Sequence, residues 1–492
     1  MSSELDDHLE SDRKKVENAV KLQVPIEVTS YILPKNMEAY LRGILKLFLE
    51  SCHQEQLEEY LNFCLGELLT NSKKANTKRV YFKEHNLDIN DLSDYNLGME
   101  HFREDTFSNV DYYFELQKKE GLYVKLSLQI KGENIIIEIR NNSVLTKFEQ
   151  NRIGRKFEMA QQYHNMDDVV ANVLDQSEGA GLGIIIIILM LQTLGVTKDC
   201  FKIYSTEEET ITQIILPCNN KLSAGVDIIS YEFVNLQSKM VALKSHFEKV
   251  NKIVHASKIN RKSLLDHLRK DVQLSIIVLK YALEKDSACL SLPKALELLS
   301  DEELRFAFSD SNPKLDIIED NAEVEQILEH AYNAGVYAYN LHKNSKNKPK
   351  EDEECAFLLA MLNSTDNLLI ETANKEQKDY IQELSSQYEG MSNKIQDLFN
   401  IGYAGNYLKL VYAKKIGLPE KTANILNHWN NIEKSEDYEK PLVQILYAAE
   451  MLQYYSEEKV EFYQMNPEIL AEFNIITEEQ LKYVLKKVKA VR

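Results

Sequence analysis

The sequence predicts an α+β amino-terminal domain followed by an all-α carboxy-terminal domain. Segments of strand character and one hairpin signal are confined to the first 217 residues. Beyond Pro217 apolar residues recur almost throughout at helical spacing. Glycine and proline are scarce, 16 and 9 in 492 residues, and only six of the glycines lie in the longer second part, which favours helices over turn-rich β architecture. A chain of this length holds two large domains or about three ordinary ones.

Residues 1–24 are charged and read as a mobile segment or a loose helix. PIEVTSYILP at 25–34 reads as a strand between two prolines, followed by helices at about 35–52 and 55–76. YVKLSLQI at 123–130 alternates apolar and polar residues, as a half-buried strand does. IIIEI at 135–139 is a second strand, set off by Lys131-Gly132-Glu133-Asn134, a hairpin signal. A helical stretch follows over 147–175, then SEGAGLG. The apolar run at 182–194 holds five consecutive isoleucines, whose propensity favours a strand. Its length and its glycine-rich entry favour a helix instead, buried on all sides. CFKIYS and ITQIILP are two further strands, and CNNKLSAG at 218–225 reads as a linker. The domain boundary falls near 222, giving segments 1–24, 25–222 and 223–492.

Composition limits the function. Lysine and arginine number 58 against 77 aspartates and glutamates, a net charge of −19, which argues against nucleic acid or an anionic membrane as partner. The acidic start MSSELDDHLESD lacks the apolar core of a signal peptide. The longest aliphatic run, IIIIILML at 184–191, is far short of the roughly 20 residues that span a bilayer. The six cysteines (Cys52, Cys64, Cys200, Cys218, Cys289 and Cys355) are scattered without a CxxC pair, the pattern of reduced thiols in a cytoplasmic protein.

Two constellations carry chemistry. In LEEYLNFCLGELLTNSKKA (57–75) the apolar positions Leu57, Tyr60, Leu61, Cys64, Leu65, Leu68 and Leu69 define a helix. Glu67, Asn71 and Lys74, spaced four and three apart, share one narrow face beside that stripe. One helix can thus present a carboxylate to orient water, an amide oxygen for Mg²⁺ and an ammonium for phosphate charge. Glu, Asn and Lys at this spacing also describe an ordinary solvated face. The second constellation is Gly179, Gly181 and Gly183, directly ahead of the 182–194 helix. Glycines let backbone approach a phosphate, and a helix start offers free N–H groups. Taken alone, such a glycine run is more often a turn.

Together these boxes resemble the histidine-kinase-type ATPase family, whose fold is an α+β two-layer sandwich. The family's first box, like ELxxNxxKA, appears as ELLTNSKKA from Glu67 to Ala75. Its glycine box, like GxGLGL, appears as GAGLGI from Gly179 to Ile184, and its closing strand as ETITQIILP with Thr210 in the threonine place. The resemblance covers about 25–217. It implies ATP and Mg²⁺ as ligands, with Glu67 as water-activating base if hydrolysis occurs and Asn71 as metal ligand. Lys74 would lie near the phosphates, and Gly179, Gly181 and Gly183 would form a phosphate lid. Thr210 would help hold the adenine end. The family's DxGxG box departs: IEIRNNSVL puts Asn141 in the aspartate place and Ser143 in that of the first glycine. An amide oxygen accepts the same adenine bond without charge, which costs about 1–2 kcal/mol of binding.

The region from about 240 onward resembles the HDOD family, non-catalytic relatives of the HD phosphohydrolases. The resemblance rests on LLDHLRKDVQLSIIVLKYAL, LSLPKALELLSDEELRFAF, ILEHAYNAGVYAYNL, FLLAMLNSTDNLLI and IGLPEKTANILNHW, in that order. Asn363 and Ser364 occupy the place of the metal-binding His-Asp pair. His330 and His428 stand at two outer histidine-like positions, and Trp429 and Glu450 at others. The resemblance implies a scaffold for protein contacts, without phosphohydrolase activity. The whole reads as a cytoplasmic signalling regulator that binds Mg·ATP or ADP and contacts another signalling protein. Two alternatives stand beside it: an ATPase or protein kinase acting on a partner, and an interaction protein with a dead nucleotide pocket. Relatives that pair through their ATPase modules imply a possible homodimer.

Overall fold

In the computed structural model the described residues are 2–160, 183–193, 200–217, 220–237, 239–309, 312, 314–386, 399 and 402–490. The protein is mostly helical, with a small antiparallel sheet. It divides into two compact units, Met1–Cys218 and Asn219–Arg492.

The first unit is built on five antiparallel strands: β1 (Ile26–Ser30), β2 (Val124–Lys131), β3 (Asn134–Asn141), β4 (Phe201–Ser205) and β5 (Thr210–Pro217), in the order β1-β2-β3-β5-β4. Between β2 and β3, Gly132 takes the left-handed conformation (φ 59°) that a two-residue hairpin favours at its first turn position. Alternation then sets the two faces. Leu126 lies opposite Ile139, Leu128 opposite Ile137, and Ile137 opposite Ile214. These residues are all buried against a helical layer. That layer comprises α2 (Lys35–Ser51), α3 (Glu58–Glu84) and, after α4 (Leu92–Ser108), α5 (Val110–Lys119) and α6 (Lys147–Ala160), the isoleucine-rich α7 (Gly183–Thr193). The isoleucine run is a helix because its residues fill the space over the sheet on nearly every side, so burial overrides strand propensity. On the other sheet face Arg140 pairs with Glu138 at 2.5 Å and Lys125 with Glu27 at 3.2 Å, as a partly solvated face permits.

Three stretches of this unit bear on the sequence expectations. Of the two readings of residues 1–24, a mobile segment or a loose helix, the helix is the one present: Ser2–Leu22 forms α1, packed along α2. Val16, Ala19 and Val20 are buried, and Tyr40 donates to Asp12 at 2.8 Å. The end of α1 is tied to the β2–β3 hairpin by Gln23, whose side chain accepts from Gly132 N and whose carbonyl accepts from the Gln129 amide, each at 2.8 Å. Helices α4 and α5 were not anticipated; they close a separate aromatic core around Tyr81, Phe82, Tyr95 and Tyr113. The helix expected over 147–175 is described as far as Ala160, and the remainder lies outside the described residues.

In the second unit the expected linker at 218–225 gives way to α8 (Asn220–Leu236), in which Val226, Ile229 and Phe233 recur at helical spacing and are buried. The unit is not wholly helical, because β6 (Met240–Leu243) pairs in parallel with β7 (Leu315–Ile318). Between them run α9 (Lys244–Val254), α10 (Arg261–Leu268), α11 (Val272–Lys285), α12 (Leu292–Leu298) and α13 (Asp301–Ala307), the kind of crossover a parallel pair requires. The helix starts are written in the sequence. The Asp271 carboxylate accepts from the backbone N–H groups of Gln273 and Leu274, and Ser300 and Glu303 form a capping box. The core is α14 (Ala322–Asn344) against α15 (Glu353–Leu362), in which every residue from Cys355 to Leu362 is buried. Helices α16 (Thr365–Thr372), α17 (Lys375–Ser385), α18 (Gly402–Lys415), α19 (Glu420–His428), α20 (Lys440–Ser456), α21 (Pro467–Glu472) and α22 (Glu478–Ala490) complete the unit. No helix among the described residues is long and apolar enough to cross a membrane.

Candidate functional site

Helix α3 is the floor of the candidate site. Its apolar stripe fixes its rotation over the sheet, and Glu67, Asn71 and Lys74 fall on the rim, with Glu67 half-buried and the other two exposed. Among the described residues none of these three side chains makes a hydrogen bond or ion pair. The neighbouring Lys73, by contrast, donates to the Leu33 carbonyl at 3.0 Å and pairs with Glu38.

Gly183 opens α7 directly against the Glu67 carboxylate. A Cβ at this position would lie 2.1 Å from Glu67 Oε2, so any larger residue displaces that side chain. The third expected glycine and the expected carboxylate are thus brought together. Gly179 and Gly181 lie outside the described residues.

At the far end of the floor, Asn141 and Thr210 face each other across β3 and β5. Asn141 Nδ2 lies 3.4 Å from both Asn76 Oδ1 and the Ser143 carbonyl oxygen. Ser143 Oγ donates to Asn76 Oδ1 at 2.7 Å, and Thr210 Oγ1 donates to the Ser143 carbonyl at 2.6 Å. All four side chains are buried. Asn76 sits on α3 nine residues past Glu67, about 13 Å along the axis. One helix therefore touches both sequence boxes: the glycine-box helix at Glu67, and the strand end carrying Asn141 and Ser143 at Asn76.

The sequence reading missed Asn76 and the cations of this region. Lys78, one turn past Lys74, is buried and ion-paired with Glu149, which also receives Arg79 at 2.6 Å. Burial alone would raise the Glu149 pKa, but Arg79 and Lys78 outweigh it and hold the carboxyl at about 2. On the same face of α6, Arg152 donates to the Tyr95 hydroxyl at 3.0 Å. Burial, with the charges of Arg152 and Lys74, pushes the Lys156 ammonium below its ordinary pKa, while Glu67 opposes the shift. The region of Glu67 is therefore rich in positive charge, in a chain whose net charge is −19.

Most of the polar groups singled out in the second unit are bonded to neighbouring side chains, while His428 Nδ1 and Glu450 Oε1 are buried without a hydrogen-bond partner among the described residues. Buried Lys409 donates to Asn363 Oδ1 at 3.1 Å, stands 3.7 Å from Asp366 and lies 5.0 Å from the centre of the Trp429 ring. His330 is held between Glu457 at 2.8 Å and Glu450 at 3.0 Å. Burial would lower its pKa, but the two carboxylates win and raise it to about 9. His428 Nδ1 faces Glu439 at 3.5 Å. Among the described residues no group of three or more histidine, cysteine or acidic side chains is arranged to hold a metal ion.

No family model matches the chain. It is 27% identical over 476 residues to an uncharacterized protein of Treponema pallidum (strain Nichols), a match covering 96% of this chain and 92% of that one, so both units lie within it. Solved structures similar to part of the chain include the MmoQ response regulator of Methylococcus capsulatus str. Bath, with a TM-score of 0.37 and 16% identity over 50% of this chain and 98% of that one. A putative phosphohydrolase of Shewanella amazonensis SB2B gives a TM-score of 0.27 and 17% identity, over 56% of this chain and 94% of that one. An HDOD domain protein of Geobacter sulfurreducens gives 0.25 and 11%, over 54% and 89%. Likeness at this level carries nothing about activity.

Proposed function

We propose that the first unit binds Mg·ATP or ADP along α3, and that the chain is a signalling regulator whose nucleotide occupancy sets the protein contacts of the helical, HDOD-like unit. One observation carries the reading: α3 meets Gly183 at Glu67 and meets Asn141 and Ser143 at Asn76, so a single helix spans what would be the phosphate and base ends of one nucleotide. The donor set fits the ligand. Glu67, Asn71 and Lys74 are unengaged among the described residues, and an amide oxygen is a hard ligand suited to Mg²⁺. Asn71 would hold the cation, Lys74 would neutralise phosphate charge, and Asn141 and Thr210 would mark the adenine end. Asn363 bonded to Lys409, and His330 held between two glutamates, favour a scaffold for a protein partner over a phosphohydrolase centre.

Calorimetric titration with ATP and ADP, with and without Mg²⁺, tests the reading. Binding that is lost in Asn71→Ala supports it; no heat and no rise in melting temperature with any purine nucleotide at millimolar concentration overturns it. Phosphate release that disappears in Glu67→Ala while binding persists would move the protein to the ATPase or kinase reading, which the closeness of Glu67 to the start of α7 favours.

A further inference from the structure

Helix α4 has two unlike sides. Its start is fixed by Asp91, whose carboxylate accepts from the backbone N–H groups of Ser93 and Asp94 at 2.9 and 3.0 Å. Its rotation is fixed by Tyr95 and Gly98, both buried on the side of the aromatic core; a Cβ on Gly98 would lie 2.6 Å from Phe82 Cζ. The side left outside carries Leu92, Asn96, Glu100, Arg103 and Phe107, all exposed. At about 100° per residue these five fall within roughly 80° of one another, a single stripe. Leu92 is 58% exposed and Phe107 84%, and the stripe is bordered by Leu97 at 56% and by Glu104. Apolar side chains gathered on one open helix face, rimmed by charge, mark a surface for another protein.

We propose that this stripe pairs with the same stripe of a second copy of the chain, two α4 helices packing antiparallel about a two-fold axis. The stripe is its own complement. Leu92 and Phe107 stand at its two ends, about 22 Å apart along the helix, so reversal lays the leucine of each copy on the phenylalanine of the other. Reversal also sets Arg103 opposite the partner's Asn96 and within one turn of the partner's Glu100. The guanidinium can then donate to the amide oxygen and to the carboxylate, and the symmetry makes each contact twice. Charge selects a second copy over another occupant. The chain carries −19, so two copies repel on average, but within the stripe Glu100 and Arg103 offset each other. Met in reverse, each faces its opposite, whereas an acidic or a basic partner would set one of them against like charge. One helix pair is small beside the roughly 1,200–2,000 Å² of a stable interface, so a dissociation constant of about 10 µM is expected. The inference goes beyond the nucleotide reading and does not depend on it.

The test is sedimentation equilibrium of the full chain at concentrations from about 1 to 200 µM. The wild type is expected to pass from one chain to two across this range. Phe107→Asp is expected to weaken association about tenfold or more. Arg103→Glu sets carboxylate against carboxylate and Glu100→Arg sets cation against cation, so each alone is expected to weaken it as well. An equimolar mixture of these two variants restores opposite charges at both contacts and is expected to associate as tightly as the wild type. All three positions are exposed, so the variants are expected to keep the wild-type melting temperature when dilute. A wild type that stays a single chain throughout overturns the proposal. So does a dimer that Phe107→Asp leaves intact, which would use another face, or a mixture that associates no better than either variant alone.

Discussion

The polar groups singled out in the two units are engaged to different degrees. In the first, Glu67, Asn71 and Lys74 stand along one helix without a partner among the described residues, and the Asn141 oxygen is turned away from the bonds that hold its amide. In the second, Lys409 is spent on Asn363 and Asp366, and His330 on two glutamates. A polar constellation whose members are mostly bonded within the fold resembles a ligand site in sequence but has less to offer a ligand. One that remains unsatisfied at the edge of a core is where a ligand supplies the missing partners. The contrast can be attacked at its supports, a buried ion cluster in each unit.

Removing one member of either cluster should have the largest effect. Glu149→Ala strands Lys78 and Arg79, and His330→Ala strands Glu450 and Glu457. Each should cost about 3–5 kcal/mol, because an unpaired buried charge remains. Amide exchange resolved to α3 and α6 for the first, and to α14 and α20 for the second, should report the loss. Full protection retained in either variant would show that its cluster is solvated rather than buried.

The two clusters should also differ in the sign of their pH dependence. Glu149 is depressed from 4.5 to about 2, so its contribution is present above pH 4.5 and is lost as pH falls toward about 2. His330 is raised from 6.5 to about 9, so its contribution is complete below about pH 6.5 and is lost as pH rises through about 9. Each shift corresponds to roughly 3 kcal/mol. Protection around α3 and α6 should therefore fail on the acid side, and protection around α14 and α20 on the alkaline side. Failure of both on the same side would break the comparison.

These contrasts also show what sequence can and cannot display. Alternation placed β2 and β3, and helical spacing placed Glu67, Asn71 and Lys74 on one rim, because both are properties of neighbouring residues. The strands β6 and β7 have four residues each, too few for alternation to register. Asn76 continues the inward row Leu65, Leu69, Ser72, so its burial could have been read from the spacing. Its partners could not, since Tyr123, Asn141 and Ser143 lie 47 to 67 residues away. Lys409 shows the same limit, being 46 residues from Asn363. A conspicuous motif reports which groups are present; whether they are free depends on distant residues.

Asn141→Asp probes the buried hydrogen bonds among Asn76, Asn141 and Ser143 at intermediate magnitude. Above the carboxyl pKa it places an anionic oxygen against Asn76 Oδ1, and a cost of about 1–3 kcal/mol is expected. Protonation restores a donor, so the penalty should shrink in acid, opposite to the trend for wild-type Glu149. Chemical denaturation of this variant at two pH values would measure it. A stabilised Asn141→Asp protein at neutral pH would mean that the Asn76 carboxamide turns over to donate to the new carboxylate.

The smallest effect on stability should come from the residues on which the proposed function rests. Asn71 and Lys74 are exposed and make no hydrogen bond among the described residues, so Asn71→Ala and Lys74→Ala should change stability by no more than about 0.5 kcal/mol. The same substitutions should remove the rise in melting temperature that the proposed Mg·ATP binding is expected to produce, since these side chains make no other bond among the described residues. Gly183→Ala should push the Glu67 carboxylate aside and weaken nucleotide binding without unfolding the unit, because the atom it meets is the end of a flexible side chain. A loss of more than 2 kcal/mol in Asn71→Ala or Lys74→Ala, with no change in nucleotide response, would place these side chains among the structural groups. The two units would then differ only in which polar groups they bury, and the free rim of α3 would be an ordinary solvated helix face.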